Sequence, residues 1–565
     1  MFYIIFSILF LKPSIKKEDI PGNIGRFITG FIFSFVFFYL FNKDRSISYI
    51  LSILWIPAIF QSASYEIISE KNKIKTKAYI NWSLALVIII SIGYNFFPYI
   101  SFGSKNLAKM VPVQNSTELV SKIDSEHIIV ISPETAYYEM QKMIGTLDNP
   151  SKYKIGQLGV TMTNGEASYV APIEVDGFFR ALSTKEIPGV IYVSAEKAEQ
   201  ARVINSPTGI SDSFVFSNDL LRNLRKYKKD KVLFEANAEL DDDGNAYYIG
   251  SYGHYKYGRK VPEIDGVLIY SFKDGQVKDY SIDKVPDWVD EIYPSDVSEK
   301  YNKYFGTLMT GLANKLFSKN GVHIPTRWSS DTNVEGLSVN SNEVIGVIDG
   351  QGDLKWFTDH TNTSDSSTTM TGYTLMDMKT GKLIYYKTPG YINGKGAMNA
   401  VDKTLGADKA NWTPVQPLFY NIFGTEAWVV PVVNKTDGAL IKIAIVAAKN
   451  SYVVLEDSKE AAIESFKNAI AYGEIADSSD KNANSTKAEE KIITGIVSRI
   501  NGVSENGNTI FYVKLENVDT LFMVNKSAGS DIVITKEKDE VELSYLDIVD
   551  NDIVSTTSFK NKTIK

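Results

Sequence analysis

The chain contains no cysteine and only four histidines in 565 residues. The first absence removes disulfides, thiolate metal sites, iron–sulfur clusters and cysteine nucleophiles together. The second leaves little for imidazole chemistry. His127, His254, His323 and His360 form no HExxH or HxH arrangement, so a zinc site would have to assemble from distant strands. A GxSxG elbow, a GxxxxGK[ST] phosphate loop and a GxGxxG turn after a strand are also missing. Sequence therefore assigns no catalytic residue, no metal ligand and no cofactor. Cationic charge is scarce as well. The whole chain is −7, yet residues 1–103 carry ten Lys and Arg against five acids, which leaves residues 104–565 at −12. An acidic soluble part excludes a nucleic-acid partner, because phosphate binding needs a cationic surface.

What the first hundred residues do have is long apolar runs. Residues 24–41, 47–63 and 80–99 each reach the length needed to span ~30 Å of hydrocarbon, and they predict three transmembrane helices. The opening run, residues 2–11, is too short to span. It is read as a half-span, an interfacial helix or a truncated span. Lys71, Lys73, Lys75 and Lys77 precede the third run within the 65–79 loop and should stay cytoplasmic. The 12–26 segment, two spans away, is basic too. The third span then exits the cytoplasm, giving a multi-pass protein of the cell membrane whose soluble region after residue 103 is extracytoplasmic.

Within that region the chain repeats itself. Residues 266–280 (GVLIYSFKDGQVKDY) align without a gap on 372–386 (GYTLMDMKTGKLIYY), matching Gly, Lys, Gly and Tyr in place. Each reads as strand, tight turn, strand, with Gly275 and Gly381 supplying the turn. A further strand lies upstream of each copy, at 246–251 and 354–358. Looser versions occur at 169–174 with 189–195, and at 427–433 with 439–448 and 452–456. Helices fall between the sets: one from Pro133 after the N-cap Ser132, then 217–228, 297–317, 395–405 and 458–472. The predicted class is α+β, with a helix laid on an antiparallel sheet used repeatedly. The units are 104–240, 241–335 and 336–474. The strand–Lys-x-Gly–strand–Tyr pattern resembles PepSY-type (cystatin-like) domains over patches of residues 160–470. The arrangement is also similar to bacterial and phage membrane proteins with no assigned activity. That resemblance implies a binding or inhibitory role at the cell envelope and supplies no catalytic residue.

Residues 475–490 (474-EIADSSDKNANSTKAEE-490 in context) hold almost no large apolar side chain and read as a linker. Beyond it, segments 491–500, 508–515, 520–525, 540–545 and 553–559 predict five strands, a number that suits a small OB-like barrel over 491–565. Its acids outnumber its bases, again against nucleic acid.

Polar clusters remain to be weighed. Asp241-Asp242-Asp243 fails the EF-hand spacing and reads as a solvated turn. Residues 358–369, rich in Ser and Thr, are expected to form a loop joining two strands of the second repeat. There Asp359, His360 and Asp365 are the candidate ligand residues, since a histidine between acids could orient an imidazole or hold a cation. His127 reads as a strand-end residue, and Trp288, Trp412 and Trp428 as core anchors. The functional expectation is a membrane-anchored envelope protein that binds other proteins in an assembly or regulatory role. The alternative is an envelope hydrolase acting on peptidoglycan or peptides through acids from scattered strands. Converging carboxylates in a deep cleft would favour the second, and an open binding face the first.

Overall fold

A computed structural model describes residues 2–564 apart from 12–16, 42–45, 58–73, 117–119, 333, 335, 338–342, 365, 389, 472–473, 476–489, 506–507, 525, 527 and 547–552. The chain is a mixed α+β protein with several antiparallel sheets, and among the described residues one helix, Ile20–Phe38, is long and apolar enough to cross a membrane, or two such segments exist if the bent pair 85–99 and 103–109 is one span. Short helix Phe2–Ile8 belongs to the same apolar body: Phe6, Phe10 and Phe38 bury one another, and a Cβ at Gly30 would meet the Phe10 ring at 2.8 Å.

In the second predicted span, helix Ile47–Ile53 meets a single turn residue at Leu54, the chain is helical again over 55–57, and residues 58–63 lie outside the described residues. Ser91 Oγ and Asn95 Nδ2 donate to the carbonyls of Leu51 and Ser52 (2.9 Å each), which ties this turn to the third run. The third run is shifted. Helix Ile74–Phe96 begins inside the predicted 65–79 loop, and Lys71 and Lys73 lie outside the described residues. The stretch 85–99 then bends by 57° into 103–109.

Four sheets follow, largely antiparallel, each preceded by a helix that packs on it. Helix Pro133–Ile144 starts as predicted, Ser132 Oγ accepting from Thr135 N at 3.3 Å. It covers the first sheet, ordered Tyr153–Ile155, Glu166–Val175, Ile187–Ser194, Arg202–Thr208, with Gly159–Thr163 also on Glu166–Val175. Helix Leu220–Arg225 sits on the second, a meander of Val232–Leu240, Ala246–Lys256, Val261–Ser271 and Val277–Ser281. Helix Ser295–Leu308 sits on the third. That sheet runs Ile324–Pro325, Leu354–Thr361, Met370–Asp377, Leu383–Tyr386, with Ile345–Ile348 on Leu354–Thr361 and Val113–Ser116 added in parallel. Helices Gly394–Leu405 and Lys459–Ala471 cover the fourth, built on Thr425–Asn434 and Leu440–Ala447.

The internal repeat holds at the level of single hydrogen bonds. Tyr280 pairs with Val267 as Tyr386 pairs with Tyr373, and Val277 with Tyr270 as Leu383 with Met376. In both turns the glycine N–H bonds back four residues (Gly275 to Ser271, Gly381 to Asp377, 2.9 Å). Both glycines are left-handed, φ 69° and 70°. Gly438 (φ 81°) and Ser451 (φ 59°) close two of the hairpins of the fourth sheet in the same way. A residue able to take positive φ is what fixes this turn, and it explains why Lys-x-Gly recurs.

One large core runs through the four sheets, a second lies between the first and second, and a third fills the C-terminal unit. There the five strands Glu490–Glu505, Asn508–Leu515, Leu521–Val524, Glu540–Leu546 and Ile553–Asn561 match the predicted ones closely. They pair in a ring in the order first, second, third, fifth, fourth. Val513 and Leu515 point inward as their alternation requires. The 476–489 part of the predicted linker lies outside the described residues.

Candidate functional site

Asp359 and His360 are not on a loop. Strand Leu354–Thr361 runs through them, both are buried, and Asp365 lies outside the described residues. Asp359 Oδ2 accepts from Gly394 N (3.0 Å) at the start of helix Gly394–Leu405. Burial pushes its carboxyl up to about 6, tempered by that N–H.

His360 belongs to a chain of buried polar groups whose protons can be assigned. Asn302 Nδ2 donates to the Ser298 carbonyl (2.9 Å), an obligate acceptor, so Asn302 Oδ1 faces His360 Nε2 (3.0 Å) and Thr374 Oγ1 (2.6 Å). His360 thus carries its proton on Nε2 and accepts at Nδ1 from His323 Nδ1, 2.8 Å away. Desolvation lowers both imidazoles, His323 to about 4, so the pair is neutral. His360 pairs with Gly372 as Tyr252 pairs with Gly266, each followed by a bulge, so the two residues hold equivalent ladder positions; the Tyr252 ring lies over Gly266, whereas at Gly372 the Tyr385 ring takes that place. This arrangement fills space and satisfies hydrogen bonds.

Converging carboxylates do exist, at residues the sequence did not single out. Segment 289–293 crosses the junction of three sheets. Glu239, from the second sheet, accepts from the backbone N–H of Asp290 and of Glu291 (2.9 Å each). Asp290 Oδ2 in turn accepts from Thr161 Oγ1 (2.9 Å) and Met162 N (2.6 Å) of the first sheet, and Lys379 of the third lies 3.4 Å from Oδ1. All three acids are buried. Burial, then the Asp290 charge, pushes Glu239 up to about 8; burial also raises Asp290, and Glu291 well above the carboxylate range. Glu291 Oε1 and Ser295 Oγ have no protein partner and border a cavity of about 70 Å³ lined by Tyr169, Trp328 and Trp356. The space suits a few waters rather than a substrate. The one local signal at this junction was that Asp290 and Glu291 sit between Trp288, Val289, Ile292 and Tyr293.

A wider opening lies elsewhere. A cleft of about 670 Å³ lies between helix Pro133–Ile144, the turn after Ser194, the strand starting at Leu440 and the first turn of helix Lys459–Ala471. Val130, Ile131 and Val193 give it an apolar floor, and Glu139, Lys142, Lys197 and Glu199 ring its mouth. Two buried charges stand in its wall. Glu196 accepts from Ala167 N (2.7 Å) and contacts His127 Nδ1 (3.2 Å), and burial raises its carboxyl. Lys459 Nζ donates to the carbonyls of Glu126 (2.5 Å) and Glu196 (3.4 Å), and burial lowers its ammonium. His127 thus stands behind this wall against Glu196, in a short turn before an extended segment, and not at a strand end. Asp241 accepts from Asp243 N and Asn245 N inside its turn, Trp288 and Trp412 are half-buried against the core, with Trp288 on Tyr247 at 4.7 Å, and Trp428 is fully buried with Nε1 bonded to the Ile392 carbonyl.

No family model matches the chain, and no curated sequence does. Among solved structures it is similar to a glycosyl hydrolase from Bacteroides ovatus, at 11% identity over 71% of this chain and 91% of that one, with a TM-score of 0.18. A likeness of that size carries no argument. Among the described residues no group of three or more His, Asp or Glu is placed to hold a metal ion.

Proposed function

We propose that the chain is a multi-pass membrane protein whose folded region lies outside the cytoplasm and binds another protein through the cleft beside Glu196 and Lys459. The observation that carries this reading is the cleft itself: a wide, mixed-charge mouth over an apolar floor, the chemistry of a protein-binding surface. The converging acids support it from the other side. Glu239 and Asp290 are occupied by backbone N–H groups and hold three sheets together, so they are not poised over a substrate. The helix-on-sheet units are read as PepSY-like, and the ring of five strands, with its third and fifth strands parallel, as OB-like.

The membrane part of the reading draws on how the folded region meets the apolar helices. Arg259 Nη1 donates to Ser46 Oγ (2.8 Å) and lies over the Tyr49 ring, while Lys260 lies over Tyr99. The start of helix Ile47–Ile53 and the end of helix Ile74–Phe96 therefore meet the same turn, as two antiparallel spans with one outer side would.

A photoreactive residue at Tyr138, in the cleft, tests the binding. A single protein adduct that Glu199→Lys abolishes is the expected result. Turnover of peptidoglycan or peptides by the purified protein would overturn it. Compartment is tested separately. In this cysteine-free chain, Lys273→Cys should react with a membrane-impermeant maleimide on intact cells, and reaction only after lysis reverses the orientation.

A further inference from the structure

We propose that residues 309–319 form a second membrane contact, inserting Leu316 and Phe317 into the bilayer interface beside the point where the apolar helix Ile74–Phe96 ends. The inference rests on the membrane reading above and adds to it a lipid-facing part of the folded region.

Direction comes first. The turn 257–260 joins strands Ala246–Lys256 and Val261–Ser271 and rests on the apolar helices: a Cβ at Gly258 would meet Pro98 at 3.2 Å, and the Tyr257 and Phe97 rings lie 6.3 Å apart. Helix Ser295–Leu308 runs toward that turn. Tyr301 donates to the carbonyl of Pro262 (2.8 Å), and Tyr304, one helical turn on, to that of Lys260 (3.1 Å), two residues nearer the tip. The chain beyond Leu308 therefore arrives at the level where the apolar helices end.

The sequence alone predicts an unbroken helix over 297–317. Instead Gly311 turns left-handed (φ 94°), and Leu312 N donates to Ser104 Oγ (2.8 Å) on helix Ser101–Lys109. That bond fixes the segment beside the elbow of the apolar helix. Leu312 packs inward, but Leu316 is 60% and Phe317 84% exposed on the short turn Asn314–Ser318. Phe96, Phe97 and Ile100, exposed at the end of the apolar helix, continue the same kind of surface. Lys105, Lys109 and Lys319 are exposed around it. An aromatic and an aliphatic side chain with flanking lysines, continuous with an apolar helix, fit a phospholipid interface, where rings sit among headgroups and ammonium groups meet phosphates.

The test uses single-cysteine forms of the full chain in liposomes of phosphatidylcholine with phosphatidylglycerol, each labelled with an environment-sensitive fluorophore and quenched by lipids brominated at shallow or deep acyl positions. Ile89→Cys reports the apolar helix, seven residues and about 10 Å below Phe96. Lys273→Cys lies at the opposite end of strand Val261–Ser271, whose eleven residues span roughly 35 Å. The expected pattern is strong quenching of the Phe317→Cys label by the shallow quencher, deeper quenching at Ile89 and none at Lys273. If Ile89 is quenched and Phe317 behaves like Lys273, the interfacial contact is wrong while the membrane reading stands. If Ile89 is not quenched either, the membrane reading itself fails.

Discussion

Glu239 offers the sharpest test of how the sheets are joined. Its carboxyl is buried beside Asp290 and pushed up to about 8 from an ordinary value of 4.5, yet both its oxygens accept backbone N–H groups. A carboxyl raised on folding stays protonated in the folded state after the unfolded chain has released its proton. Stability from this group therefore falls as pH rises from about 4.5 to about 8 and levels off above. By pH 7.5 most of that contribution is gone. Glu239→Gln removes the proton linkage but not the shape. Its amide nitrogen cannot accept, so one buried N–H of Asp290 or Glu291 is left without a partner, at about 1–3 kcal/mol. The variant should be less stable than the parent at pH 5 and equal or more stable at pH 7.5. Urea unfolding of the solubilised protein at the two pH values, followed by tryptophan fluorescence, reads the crossing. An equal loss at both would refute the argument that the acid is protonated in the fold.

The histidines run the other way. His323 is lowered to about 4, so its contribution is complete above the unfolded value near 6.5 and is lost as pH falls toward 4. His323→Phe should flatten that acid limb in the same unfolding series, while costing about 1–3 kcal/mol at pH 7 because His360 Nδ1 loses its donor. The two repeat turns should respond unequally to alanine. Both pay ~1–2 kcal/mol for positive φ, but a Cβ at Gly381 also meets the Tyr293 ring at 2.4–2.7 Å, whereas at Gly275 its nearest neighbour is the Tyr270 hydroxyl at 3.7 Å. Thermal unfolding that ranks Gly275→Ala below Gly381→Ala would contradict this. Asp359→Asn keeps an acceptor for Gly394 N and should unfold near the parent, while Asp359→Ala should lose about 1–2 kcal/mol as a lost helix cap does.

The elements legible in the sequence were those with local causes. A left-handed glycine fixes each repeat turn, Ser132 and Pro133 start a helix, and alternation in 508–515 sorts inward from outward residues. What escaped depends on partners far along the chain. Asp359 and His360 lie among Thr and Ser and look like loop residues, yet Gly394, Asn302 and His323 satisfy them inside a strand. Glu239 and Asp290 look solvated until Met162 and Lys379 are brought beside them. The turn at Leu54 inside the 47–63 run has no sign in its composition, because the groups that meet it, Ser91 and Asn95, lie forty residues on.

The two best copies of the repeat diverge at one place, and that place is where the folded region meets the apolar helices. Their ladders agree up to Tyr252–Gly266 and His360–Gly372, and both then bulge. Past the bulge the second copy adds one pair, Thr361–Met370, and leaves its sheet. The first continues through Gly253–Ile264 to Lys256–Val261 and ends in the turn that carries Arg259 and Lys260. The extension is thus an addition to a complete sheet, so removing it should spare the sheet. His254 and Glu263 face each other directly, which allows residues 255–262 to be replaced by Asn-Gly, a two-residue hairpin turn. The helix Ser295–Leu308 loses the bonds from Tyr301 and Tyr304, about 1 kcal/mol each. Amide exchange should quicken across Phe97–Tyr99 and Ser101–Lys109, which lose Tyr257, Gly258 and Lys260, while Ala246–His254 and Gly266–Ser271 stay protected. Collapse of protection in both regions together would mean that the hairpin tip is part of the sheet's own stability rather than its connection to the helices.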